Sequence, residues 1–281
     1  MIKQQSNRSP LKAGRHPFQS QHDPALCALY VATSFLCLSM VLWILLFPAS
    51  SFQEDSEWRR VLFAKVNPPG SVLFPEGITK YQHETLVQWT HILPGAIWAA
   101  VVPIQLHPAI RLQYRTLHRT LGYLFLVTAI VMSYGILVIL LKHLTFEDHF
   151  AKLLQYAPDS TLSLVAIFNK VAILALALYF PGTAVVAVRA ATQGRTVVHQ
   201  YTLLRHVAAG LWVAIQRVLL VVAAGIMTIR HKNVVSPMQQ RWYFAVTAYA
   251  GMMVSFGAAE MAIWRLKSSA KLLHKVKKRS V

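Results

Sequence analysis

Six stretches of the chain are continuously apolar, at residues 26–47, 86–107, 121–141, 160–188, 206–229 and 242–264. A helix rises about 1.5 Å per residue and needs roughly 20 residues to cross the hydrocarbon core, so each stretch predicts a transmembrane helix. The apolar positions are unbroken rather than alternating, which argues against barrel strands of about 10 residues. In lipid the backbone polar groups must pair within the segment, which a helix does by itself. The pattern therefore predicts an all-α, polytopic membrane bundle of six spans over residues 26–266, between a polar tail at 1–25 and a basic tail at 267–281. The first stretch is too long for the apolar core of a secretory signal and follows about 25 mostly polar residues, so it reads as a retained anchor. The longest loop, Ala49 to Thr85, is punctuated by Asn67-Pro68-Pro69-Gly70 and Pro75-Glu76-Gly77, and its apolar residues are expected to lie across a mouth of the bundle.

Composition supports this reading. Only 14% of the 281 residues are charged and 55% are apolar, against about 25% charged in soluble domains. The charges that remain are unevenly placed. The N-terminal tail, His107 to Arg119, Arg189 to Arg205 and Arg265 to the end hold 17 of the 28 Lys and Arg, while eight of the ten acidic residues fall in the other three loops. Basic segments stay in the cytoplasm during insertion, so both termini are expected there. The net charge of +18 would suit a nucleic-acid binder, but it is concentrated in short loops and in the run from Lys267 to Arg279. Such juxtamembrane clusters meet anionic lipid headgroups, and no nucleic-acid partner is expected. Asn7-Arg8-Ser9 has the form of a glycosylation acceptor, but on a cytoplasmic tail it would not meet the enzyme. Cys27 and Cys37 share the first span and suggest neither a disulfide framework nor a zinc site.

Polar residues inside the spans carry the candidate chemistry. Arg217 lies 11 positions after His206 and 12 before Ile229, near the middle of the fifth span, with Gln216 beside it. A charge at that depth is expensive unless it meets protein, a water-filled cavity or an anion. Asn169 and Lys170 lie about ten residues into the fourth span, about 15 Å of helix, and Glu260 lies in the sixth. Glu260 is a candidate partner for Arg217, across an axial gap of about 9 Å. Together with His206 these residues outline a polar cavity. Gly251, Ser255 and Ala259 recur every four residues in the sixth span and form a small-residue face for close helix packing. Pro181-Gly182 either ends or kinks the fourth helix.

The histidines fall into two shells. His107, His118, His199 and His206 lie near one set of span ends, while His83, His91, His143, His149 and His231 lie near the other. Two shells are what a pair of membrane haems would need, because a b-type iron takes axial imidazoles from facing helices. On this reading His118 and His199 are the inner ligands of a haem b, His91 is an outer ligand with His143 or His231, and Arg217 meets a propionate or a quinone. The function expected first is a membrane redox protein passing electrons through haem. One alternative is a transporter of a polar or anionic solute that uses Arg217 and Lys170, its histidines gating or relaying protons. Another is a membrane-embedded enzyme acting on a hydrophobic metabolite. The ligand would then be a small hydrophobic or anionic molecule. His118, His199 and His206 are also candidates for a single metal. The chain has no His-Glu-x-x-His, no Gly-x-Ser-x-Gly and no nucleotide-binding glycine pattern.

One resemblance joins several of these residues. The sequence reads His91-x-x-x-Gly95, Gln105, Arg111 and His118-Arg119-x-x-Gly122, then His199-Gln200-Tyr201-x-x-x-Arg205 and Gln216-Arg217. Over about residues 86–225 this resembles the membrane-protein family called domain of unknown function 2306. Family members carry a His-Arg-Arg-Trp-Met-like segment where this chain has His199-Gln200-Tyr201-Thr202-Leu203. The resemblance implies that His91, His118, His199 and Arg217 act as a group, and it supplies no reaction.

Overall fold

A computed structural model describes residues 23–46, 57–66, 71–72, 80–148, 160–229 and 235–279. His16, His22, His149 and His231, and most of the Ala49 to Thr85 loop, lie outside them. The helices are α1 (Pro24–Leu46), α2 (Glu57–Val66), α3 (Thr85–Leu106), α4 (Pro108–Gln113), α5 (Arg115–Leu141), α6 (Ser160–Thr192), α7 (Thr196–Ile229) and α8 (Pro237–Arg279). Six of them, α1, α3, α5, α6, α7 and α8, are long and apolar enough to span a bilayer. The architecture is an all-α polytopic membrane bundle.

Its outer surface explains why water is the wrong solvent. Large apolar side chains stand out from every spanning helix, including Phe35, Leu141, Leu178, Val222 and Met253. Patches of that extent on a soluble protein would drive association, whereas lipid covers them without penalty. The packed core is narrower and lies where α3, α5, α6 and α7 meet. Trp98, Phe125, Phe180, Val207 and Leu211 are buried there.

Close approaches are made where side chains are smallest. On α8, Gly251 faces the Trp212 carbonyl of α7, and an added Cβ would sit 2.7 Å from that oxygen. One turn on, Ser255 donates to the Ala208 carbonyl at 2.8 Å, and Ala259 is buried. The expected small-residue face is thus the α7–α8 seam. Pro181 does not end α6, which continues to Thr192.

Arg265 of α8 reaches Asp23 at the start of α1, at 3.5 Å, so these two meet at one face of the bundle, called here the terminal face. The opposite, distal face is covered in part by its loops. Ser71 and Val72 dock there: the Ser71 carbonyl accepts from Gln240 at 2.6 Å, and Val72 packs against Leu220 and Val235. This part of the long loop does lie over the bundle.

Near the distal face α3 is not regular. Gln88–Ile92 form a π turn in which the Leu93 N–H reaches the Gln88 carbonyl. Pro94 follows and has no N–H to return to Thr90, so the ladder is already broken where the wider turn forms. The turn brings His91 against α5 at Gly135, where any Cβ would lie 2.7 Å from His91 Cβ and from the Thr90 backbone.

Candidate functional site

Between the core and the distal loops lies a cavity of about 280 Å³. Its floor is Trp98 of α3, Phe180 of α6 and Gly210 of α7. Met40 and Trp43 of α1, Met132 and Ile136 of α5, and Ile173 and Leu176 of α6 form the walls. Successive positions three or four apart on each helix produce this lining, as one face of a helix must. Lys80, Tyr81, Thr145, Phe146 and Phe244 form the distal rim.

Arg217 opens into this cavity about 10 Å above the floor, seven residues of helix beyond Gly210. Its guanidinium carbon lies 5.3 Å from the Trp43 ring centre and 5.8 Å from that of Phe244. Its Nε is buried and makes no hydrogen bond, and no described carboxylate pairs with it. No Asp or Glu is found among the described residues that line the cavity. Gln216 lines it too but has its own role, since Nε2 donates to the Phe244 carbonyl at 3.1 Å and ties α7 to α8. His91 lines the cavity from the π turn, with Nδ1 3.4 Å from the Met132 carbonyl.

The other intramembrane charges are paired elsewhere. Glu260 does not meet Arg217. It takes Arg205 in a two-pronged ion pair, Nε to Oε1 at 2.6 Å and Nη2 to Oε2 at 3.0 Å. Arg205 and Arg217 are 12 residues apart on α7, about 18 Å, so a carboxylate beside one is out of reach of the other. Lys170 is ion-paired with Asp148 at 2.5 Å, and Asn169 donates to Glu147 at 2.8 Å. Neither lines the cavity. The loop that follows α5 reaches Lys170 and supplies its partner, Asp148.

Glu147 and Arg241, which fall between the predicted spans, form a buried ion pair, with Arg241 Nη2 2.7 Å and Nε 3.1 Å from Glu147 Oε2. Tyr249 donates to Asn169 Oδ1, which extends the network from α8 to α6. Between Thr145 and Glu147, Phe146 stacks on Phe244, ring centres 3.6 Å apart and planes inclined by 13°. No local signal marks these partners, since Glu147 and Arg241 are 94 residues apart. The neighbouring turn is tied down as well, by Lys142 to Glu84 at 2.5 Å.

The histidines divide by environment. His206 is fully buried beneath the cavity floor, where Trp98 Nε1 donates to its Nε2 at 3.0 Å and its Nδ1 lies 2.9 Å from the Phe180 carbonyl. An Nε2 that accepts from indole carries no proton, so Nδ1 holds it and donates to Phe180. Phe125 and Phe180 close the box, with ring centres 4.7 Å and 4.1 Å from the imidazole. Both nitrogens are used in holding the floor. Trp98→Phe should strip His206 Nε2 of its donor and lower stability by about 1–3 kcal/mol, read as a lower unfolding temperature in detergent micelles. An unchanged temperature would mean that the bond carries no weight.

At the terminal face His199 Nδ1 is 2.9 Å from the Ala187 carbonyl, and His118 Nδ1 is buried without a partner. His143 is on the distal side, in a left-handed turn, 3.7 Å from Asp148 and largely exposed. Among the described residues no group of three or more His, Cys, Asp or Glu could hold a metal ion, and no haem site is evident.

No family model, curated protein or solved structure matches this chain. The resemblance to domain of unknown function 2306 is thereby overturned. Its motifs were short combinations of His, Arg and Gly, which a basic, histidine-bearing membrane protein can assemble at helix ends without common descent. The geometry agrees, because His91 lies at the distal cavity and His118 and His199 lie at the terminal face. They do not converge on Arg217.

Proposed function

We propose that the protein is a membrane carrier for an anionic solute, which binds in the cavity at Arg217. The observation that supports this reading is a cationic group without a carboxylate partner, facing a cavity whose described lining contains no acid. A charged Arg inside an apolar span is costly unless it meets protein, water or an anion, and a bound anion would offset that cost. Lys80 stands at the distal rim, where it would draw anions toward the mouth. Aromatic groups bound the cavity on both sides, Phe146 on Phe244 toward the distal loops and the Trp98 and His206 box toward the terminal face. A carrier needs such closures at both ends of its site. Lys170 has no direct part in binding on this reading.

The test is uptake of radiolabelled anions, a panel of halide, phosphate and small organic acids, into proteoliposomes. Saturable uptake of at least one anion is expected for the wild-type chain, with at least a tenfold loss in Arg217→Gln. Equal uptake by the variant would remove Arg217 from the mechanism. The redox alternative has its own direct readout, since a haem protein expressed with adequate haem supply would show a Soret band.

In the membrane the terminal face lies in the cytoplasm on this proposal, with residues 26–266 as the membrane domain and the basic segment from Lys267 onward against anionic headgroups. The support is the excess of Lys and Arg in the terminal-face segments. Cysteines introduced singly at Ser269 and at Gln82, in a chain with Cys27 and Cys37 replaced by Ala, should react differently with an impermeant maleimide in intact cells. Labelling at position 82 alone is expected, and labelling at position 269 alone would invert the assignment.

A further inference from the structure

The cavity has few groups able to hold an anion once the committed ones are removed. Gln216 donates to the Phe244 carbonyl, the Thr145 hydroxyl bonds to Asp148, and Lys80 is at the rim, 4.8 Å from the Tyr81 ring centre. Below the rim that leaves the Arg217 fork and the His91 ring, surrounded by carbon. A halide or phosphate would lose most of its hydration there and regain few hydrogen bonds, a penalty of several kcal/mol. The lining instead suits a ligand that is mostly hydrocarbon. The aromatic faces of Trp43, Trp98, Phe180, Trp212 and Phe244 favour a flat ring, which stacks offset or edge-on. A volume of about 280 Å³ is at the low end for small-molecule sites and far below what a two-chain lipid needs.

We infer that the ligand is a small organic acid with a single negative charge and a flat apolar ring body, its acid group held by Arg217 and its ring by the aromatic walls. A second negative charge would meet no further Lys or Arg below the rim, which limits the class to monoanions. The acid group meets a planar fork of N–H donors, the geometry that carboxylates match in two-pronged fashion. This inference rests on Arg217 being the anion site.

Equilibrium dialysis of the full chain in detergent micelles tests it with three probes of defined chemistry. These are 1-naphthoate, the neutral 1-naphthamide, and inorganic phosphate as competitor. Quenching of Trp fluorescence reports the same binding, because Trp43, Trp98 and Trp212 line the cavity. Saturable binding of 1-naphthoate at least tenfold tighter than 1-naphthamide is expected, with no competition from a hundredfold excess of phosphate. Arg217→Lys, which keeps the charge but loses the fork, should weaken naphthoate binding severalfold. Saturable binding of labelled phosphate, dialysed directly, with no naphthoate binding would overturn the substrate class and leave Arg217 as an anion site. Equal affinity for acid and amide would overturn both. All three probes are read on the wild-type chain, so the outcome does not depend on a variant's folding.

Discussion

Arg217→Met should raise the unfolding temperature of the ligand-free protein while abolishing anion uptake. The reason lies in what surrounds the guanidinium. Its described environment offers two aromatic faces and no carboxylate, and its Nε has no acceptor. Cation–aromatic contacts contribute about 0.5–2 kcal/mol, and both of these lie toward the far limit of about 6 Å. They do not replace the hydrogen bond that the buried Nε gives up, a loss of about 1–3 kcal/mol for an unsatisfied donor and more for a charged one. Methionine fills much of the same space, adds no charge and adapts to an irregular apolar wall. The net change should be about 1 kcal/mol in favour of the variant, visible as a higher midpoint in micelles without added anion. A saturating ligand should reverse the order, because it stabilises only the chain that binds it. If the variant instead unfolds several degrees lower, Arg217 is a structural ion and the carrier reading loses its basis. A group kept at the expense of stability is what function leaves behind.

The opposite result is expected for Glu147→Leu. Glu147 and Arg241 are nearly excluded from solvent, with side-chain exposures of 7% and 10%, and Glu147 also accepts from Asn169. Removing the carboxylate leaves a buried guanidinium without its partner and should cost about 3–5 kcal/mol. The double variant Glu147→Leu/Arg241→Met should recover most of that loss, since two apolar groups leave no orphaned charge. Thermal unfolding of the single and double variants measures the cycle. A single variant within 1 kcal/mol of wild type would show the pair to be solvated. Glu260→Gln provides the contrast. Its pair with Arg205, at 53% and 40% exposure, lies where α7 leaves the basic terminal-face segment, within reach of water and headgroups, and such pairs contribute about 0–1 kcal/mol. The Glu147 variant should also alter uptake, because the adjacent Phe146 stacks on Phe244 and forms part of the cavity rim.

These two arginines show how differently one residue type can be read along the chain. Arg217 announces itself, because a charge in the middle of an apolar run has no innocuous explanation. Arg241 does not, since it stands one residue before an apolar run and looks like a flanking charge. Its burial depends on the turn after α5 folding back over α8. Lys170 errs the other way. It looks intramembrane by residue count, yet the loop bearing Asp148 meets it near the distal face. His206 was grouped with the polar cavity and instead forms a sealed support beneath its floor. His91 and Gln216 line the cavity with Arg217.

The sequence by itself determined the six spans, the presence of Arg217 inside one of them and the small-residue seam of α8, because each follows from one helix and its period of about 3.6 residues. Lipid demands long apolar helices wherever they pack, so their existence is a local property. Only the tertiary structure decided which charge answers which. Pairing requires two side chains within about 4 Å, and that distance is set by helix order, tilt and loop path over tens of residues. Glu260 went to Arg205, Asp148 to Lys170 and Glu147 to Arg241. Arg217 was left without a described carboxylate, in a cavity whose other walls come from α1, α3, α5 and α6.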